Sequence, residues 1–224
     1  MTSSARRFVD LSHTVSDGLV TYPGLPAPRI RPHLTREASR ASYAPGTEFA
    51  MDVIEMLGNT GTYLDSPFHR YEGGTDLAGL DLATLVDLPA VVVTARGDRA
   101  IGPEAFDGLD VRGAAVLLST GWDALFGEPG YARDAPFLTE EGARVLVAGG
   151  AVLVGIDSLN IDDAQGGGTR PAHSLLLGAG VHVVEHLTGL SELPASGARF
   201  TAVPPKVSGF GTFPVRAFAV VDAA

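Results

Sequence analysis

The chain contains no cysteine. That excludes disulfides, thiolate nucleophiles and cysteine-ligated zinc or iron–sulfur centres, so any metal must be held by His, Asp and Glu. Apolar runs long enough to span a bilayer are also missing. Positive charge is scarce. The 16 Lys and Arg stand against 26 Asp and Glu, giving a formal net charge of −10 and a pI of about 4.9. Such a surface repels phosphate backbones and anionic lipid, so neither nucleic acid nor membrane is an expected partner. No apolar segment follows the two arginines of "MTSSARRFVDLSH". No signal peptide is read there, and a cytoplasmic location is expected.

What is present is core-forming material. Hydrophobic residues make up 45% of the 224 positions and charged residues 19%, which suits one domain spanning 1–224. "RFVDLSHTVSD" alternates, with Val9, Leu11, His13 and Val15 on one face, and reads as a half-buried strand. The four prolines of "DGLVTYPGLPAPRIRP" read as an irregular loop with some extended pieces, and "EFAMDVIEML" as another strand. Four aliphatic runs follow: "AVVVTA", "AAVLLST", "AVLVGID" and "VHVVEH". Between the second and third, "LTEEGARVLVAGG" has Thr139 as N-cap, acids in its first turn and a Gly149-Gly150 stop, which predicts a helix. Strand, helix, strand predicts a parallel pair joined by a crossover. "FPVRAFAVV" closes the chain as a last strand. The fold class is therefore α/β, a single domain with a mixed sheet.

Chemistry concentrates in two places. "LGNTGTYLDSPFH", Leu57 to His69, packs Asn59, Tyr63, Asp65 and His69 among small residues. Pro67 forces Ser66 into extended backbone, so Asp65 and His69 sit in a loop or helix start that aims both at one point. An Asx turn at Asp65 with His69 incidental is the alternative. In "VHVVEH", alternation places Val181, Val183 and Glu185 on one face and His182, Val184 and His186 on the other. Glu185 ends an apolar face and needs a partner there. His173 precedes that strand by one loop. Together Asp65, His173 and Glu185 make a donor set suited to Zn²⁺ or Mn²⁺, and a metal-free Glu–His hydrogen bond is the alternative. Trp122 in "STGWDALF" offers an aromatic wall, with Phe49, Phe68 and Tyr22 as further candidates. Arg170 offers a clamp for a carboxylate. Core packing competes for each aromatic, and simple solvation for Arg170. No G-x-S-x-G elbow exists, and Gly166–Gly168 reads as a flexible loop.

Read together, these segments resemble the metal-dependent cyclase family that includes bacterial kynurenine formamidase and isatin hydrolase. The family pattern H-x-G-x-H-x-D-x-P-x-H falls on Asn59-Thr60-Gly61-Thr62-Tyr63-Leu64-Asp65-Ser66-Pro67-Phe68-His69. His173, Glu185 and "EHLTGL" resemble its downstream element. "DLSHTVSDGLVTYPG", "STGWD", "VGIDSLNID" and "PVRAFAVV" follow the family in order. The resemblance implies a swivelling β/β/α, barrel-like fold and hydrolysis of an amide, lactam or lactone of a small aryl or carboxylic substrate. It implies His69 as general acid/base, Asp65, His173 and Glu185 as metal ligands, and a homodimer or homotetramer. The departure lies at Asn59 and Tyr63, where the family has histidines. Asn59 is a weak ligand and is assigned to substrate binding. Tyr63 has an ordinary pKa near 10 and is assigned to proton transfer with Asp65 and His69. At most one ion per chain is expected. A metal-free cyclase, dehydratase or isomerase and a non-catalytic binding protein remain open as alternatives.

Overall fold

The computed structural model describes residues 6–222. The first five residues, on which part of the reading of the N-terminus rests, lie outside them. Strands run in the order β1 (Arg6–Asp10), β2 (Arg29–Leu34), β3 (Met51–Glu55), β4 (Tyr63–Asp65), β5 (Leu88–Thr94), β6 (Ala100–Ile101) and β7 (Ala115–Ser119). They continue with β8 (Phe137–Leu138), β9 (Leu153–Ile156), β10 (His182–Glu185), β11 (Ser196–Thr201), β12 (Thr212–Pro214) and β13 (Phe218–Asp222). Three α-helices are interspersed: α1 (Arg36–Ser39), α2 (Glu140–Gly149) and α3 (Pro171–Gly178). No helix among the described residues is long and apolar enough to cross a membrane.

Nine strands form one mixed sheet in the order β1-β13-β11-β5-β7-β9-β10-β4-β12. Its centre, β5-β7-β9-β10, is parallel, and both flanks are antiparallel. The four aliphatic runs of the sequence are those four central strands. A parallel centre needs cover on both faces, and the side chains divide accordingly. Ala115, Leu117, Leu153 and Val184 join one core with Val9, Leu11, Phe200 and Ala219, so the sheet curls until its flank shares a core with its centre. Val116, Leu118, Val154, Ile156 and Val183 face the other way, against Leu146 of α2 and Leu176 of α3. The helix read at Thr139 forms as expected. Thr139 Oγ1 accepts from the Gly142 N–H at 3.0 Å, and Gly150 ends the helix at φ 80°.

One expectation needs correction. The first strand stops at Asp10, and Ser12 makes only an isolated bridge to Leu187, because Ser12 Oγ turns to the carbonyls of Val215 and Ala217. One extended piece of the proline-rich stretch is β2, which pairs with β3 as a two-stranded sheet separate from the main one. His173 sits on α3, one short connection before β10, as its spacing from the strand suggested. That helix is only eight residues long and shows no clear amphipathic period.

Candidate active site

Strand register builds the floor. On one face of the β10-β4-β12 edge, Glu185 lies opposite Tyr63, and Asp65 lies opposite both Val183 and Thr212. Directly opposed residues share a face, so four polar side chains meet on the side covered by α3. Tyr63 donates to Glu185 Oε2 at 2.5 Å, and the Ile161 N–H donates to Oε1 at 2.6 Å. Thr212 Oγ1 lies 2.5 Å from Asp65 Oδ1 and 2.7 Å from His69 Nδ1. Glycine at position 211 is what brings Thr212 this near, since a Cβ there would stand 2.5 Å from the His69 backbone nitrogen.

From above, α3 lowers His173 onto this floor. The Asp162 carboxylate accepts from the N–H groups of Ala172 (2.7 Å) and His173 (3.1 Å) and from the His173 ring at Nδ1 (2.7 Å). Its negative charge at the helix N-terminus is itself favourable. His173 Nε2 is thereby aimed downward, 3.5 Å from Asp65 Oδ2 and 3.5 Å from Glu185 Oε1. His69 follows from the Pro67 signal: Ser66 is extended at ψ 166°, and Pro67–His69 form one 3-10 turn.

The protons can be placed. An ionised carboxylate only accepts, so the single hydroxyl proton of Thr212 goes to Asp65, and Thr212 in turn accepts from His69 Nδ1–H. Neutral His69 is left with its lone pair on Nε2. By the same logic His173 donates Nδ1–H to Asp162 and presents Nε2 to the two acids. Burial works against a charge on His173, but Glu185, Asp162 and Asp65 outweigh it and raise its pKa to about 10. Burial raises Glu185 to about 7 against the pull of His173. Burial also opposes ionisation of Asp65, yet His173 and His69 hold it below the usual carboxylate range. Tyr63 is pushed well above 10 by burial and by the Glu185 and Asp65 charges, so it stays a phenol and a donor.

One atom is left over. Asp65 Oδ2 is buried and has no hydrogen-bond partner. A bare buried carboxylate oxygen facing an imidazole whose far nitrogen is fixed by a second carboxylate is the arrangement seen around metal ligands. Asp65, His69 and His173 each offer a donor atom, all within 4.8 Å of one another. That grouping has His69 where the sequence reading had Glu185, whose two oxygens accept from Tyr63 and the Ile161 amide. Their oxygen and imidazole donors fit a metal ion, which Asp65, His69 and His173 would hold.

The site opens into a cavity of about 710 Å³ lined by Asn59, Tyr63, His69, His173, Glu185 and Arg170, together with Arg70 and Asn160. Trp122 is not among its lining residues. Its indole N–H bonds the Tyr131 carbonyl at 2.8 Å, and it packs with Tyr22 and Leu159, since it begins a short turn after β7 away from the cavity. The other histidines lie elsewhere. His33 is exposed on β2. His13 stacks on Phe126 at 3.7 Å, His186 meets the Tyr131 hydroxyl at 2.8 Å, and His182 meets Thr84 on the opposite face of β10 at 2.8 Å. Sequence reasoning assigned no role to Asp162, Asn160, Thr212 or Arg70. Asp162 and Asn160 carried a signal, as polar residues just beyond the aliphatic run of β9. Thr212 carried none, standing 147 positions from Asp65.

The Cyclase family model matches residues 9–163. The chain belongs to that family. A kynurenine formamidase of Geobacillus thermodenitrificans (strain NG80-2) is 28% identical over 212 residues, covering 94% of this chain and 95% of that protein. Isatin hydrolase A from Labrenzia aggregata, solved with benzyl benzoate, is similar in structure with a TM-score of 0.83 at 26% identity, covering 97% of this chain and 94% of that one. A structure described as a potential metal-dependent hydrolase with cyclase activity matches with a TM-score of 0.78 at 27% identity, covering 98% of this chain and all of the other (100%). These cyclase-family relatives are hydrolases by name, and this chain is a hydrolase of the same family.

Proposed function

We propose that this cyclase-family protein hydrolyses an amide, lactam or lactone bond of a small aryl or carboxylic substrate, with at most one metal ion per chain. The observation that supports this most is the bare, buried Asp65 Oδ2 set against His173 Nε2 beside a basic His69. The named relatives act on a formamide and on isatin by their names, which favours a carbonyl flanked by nitrogen. A divalent ion in the site would polarise that carbonyl and acidify a water. His69, with its lone pair on Nε2, takes the proton of the attacking water and returns it to the leaving nitrogen or oxygen. Thr212 fixes the tautomer that makes this possible, and Asp65 fixes Thr212. Tyr63 remains protonated and steadies Glu185. Asn59 and Asn160 offer amide donors and acceptors for substrate along the cavity wall.

A second reading has one observation in its favour. Charged His173 satisfies both acids without an ion, at 3.5 Å from each, leaving Tyr63 and His69 for proton transfer in a cyclisation or dehydration. Metal content of protein purified without an affinity tag, measured beside hydrolysis of an aryl formamide, separates the two. Bound Zn or Mn near one per chain with turnover supports the first; turnover undiminished in metal-free protein overturns it.

We place the protein in the cytoplasm, where a chain without cysteine forgoes nothing, and we propose a homodimer or homotetramer built on the β2–β3 hairpin. A lone two-stranded hairpin is marginal in water, and this one exposes Ile30, Met51 and Ile54 beside Phe49. A second copy is the occupant that covers it. Light scattering that returns a monomer would refute this assembly.

A further inference from the structure

The cavity wall holds two arginines with no acid to pair with, in a protein whose net charge is −10. Arg70 follows His69 in the chain, and Arg170 precedes α3. Among the described residues, the nearby acids are already engaged. Glu140, which lines the same cavity, is paired with Arg144 at 2.5 Å. Asp163, beside Arg170, is held by Arg99 through both oxygens, at 2.5 and 3.2 Å. Arg170 itself bonds only the backbone carbonyls of Asp163 and Thr169. Arg70 bonds only Ser174 Oγ, at 3.3 Å, and lies over the Tyr71 ring at 5.2 Å.

These contacts also bring the pair together. Ser174 Oγ donates to the Arg170 carbonyl at 2.7 Å while meeting Arg70 Nε, so one hydroxyl ties the Arg70 side chain to the Arg170 backbone. Tyr71 donates to the Ser174 carbonyl at 2.9 Å and fixes the same corner. Guanidinium groups held this way keep free N–H donors in the geometry that a carboxylate accepts. Glu185 lines the same cavity but faces His173, 3.5 Å away, so it leaves both arginines unpaired.

From these two cavity-lining arginines without an ion pair we infer that the substrate carries a carboxylate remote from the scissile bond, and that Arg70 and Arg170 bind it and so orient the reacting carbonyl toward His69. The inference rests on the hydrolase reading for the scissile bond, but the anion site stands on its own geometry. It selects anionic aryl amides over neutral ones of the same size.

The test pairs binding with turnover. Benzoate and benzamide are titrated calorimetrically into the unmodified protein, Arg70→Gln, Arg170→Gln and the double variant, with Arg70 exposed, Arg170 half-buried and neither part of the hydrophobic core. Benzoate should bind more tightly than benzamide, and each substitution should weaken benzoate alone by about 10-fold, with about 100-fold for the double change. With 2-formamidobenzoate and formanilide as substrates, KM for the anionic one should rise by similar factors while kcat holds. Benzoate binding that is absent, or unchanged in the double variant, overturns the clamp even if both formamides are hydrolysed. If neither formamide is hydrolysed but benzoate still requires both arginines, the clamp stands and the hydrolase reading falls.

Discussion

Asp65 and Asp157 are both buried acids beside strands of the same sheet, and their surroundings part ways. Asp157 lies just past β9. Its two oxygens accept from the Thr120 N–H at 2.8 and 3.0 Å, the Thr120 hydroxyl at 2.5 Å and the Gly121 N–H at 2.9 Å. It lines no part of the cavity. Asp65 has one oxygen held by Thr212 and the other bare, facing an imidazole. The first acid is complete as folded and ties β9 to the turn after β7. The second keeps one buried oxygen without a hydrogen bond, 3.5 Å from His173 Nε2. Burial costs a carboxylate alike in both places. What separates a structural acid from a functional one is the number of partners the fold itself supplies.

The largest expected difference is in turnover. Asp65→Asn and His69→Asn should each cut kcat by about 10²–10⁴-fold, with thermal unfolding little changed. Asp157→Asn should leave kcat per folded molecule intact. Steady-state kinetics on the three proteins checks this, and full activity in Asp65→Asn would collapse the distinction. Stability should show the reverse. Asp157→Ala strands the Thr120 and Gly121 amides and should cost about 2–4 kcal/mol by urea unfolding. Asp65→Asn should cost less than half of that, since the amide oxygen can still accept from Thr212 and no backbone amide is stranded.

A pH prediction contrasts the two faces of β10. Burial lowers the pKa of His182 to about 4, while the ordinary value is about 6.5. Between those values the unfolded chain binds the extra proton, so stability falls as pH drops through that window and is unaffected above it. The full shift corresponds to about 3 kcal/mol. His182→Gln should flatten this acid-side loss without changing turnover, whereas Glu185→Gln, three residues on and facing the cavity, should reduce turnover. A His182 variant with impaired turnover would place the wrong face in the site. The smallest effects belong outside the cavity. Trp122→Phe should shift KM by less than about 2-fold and cost up to about 1 kcal/mol through its lost hydrogen bond. Ile54→Lys should alter oligomeric state while stability of the fold stays within about 0.5 kcal/mol.

Sequence periodicity reached the central strands and α2 because those elements obey one period throughout. It reached Asp65, His69 and Glu185 because a proline and an alternating strand fix where each points. It missed the helix that carries His173, which at eight residues is too short to show a period. It also put Trp122 at the wrong place, since an aromatic in a loop carries no directional signal. Thr212 and Asp162 were out of reach for a different reason: their roles exist only through contacts that the folded sheet and the start of α3 create.

The strand that carries Thr212 is also the margin of the sheet. β12 has three residues and ends at Pro214. A catalytic floor laid at a sheet margin stays open to small molecules, but an open margin also invites another chain to add itself there. A ladder this short, closed by a residue with no N–H to offer, gives an incoming strand almost nothing to grip. The protein can thus keep its chemistry at an edge without seeding aggregation from it.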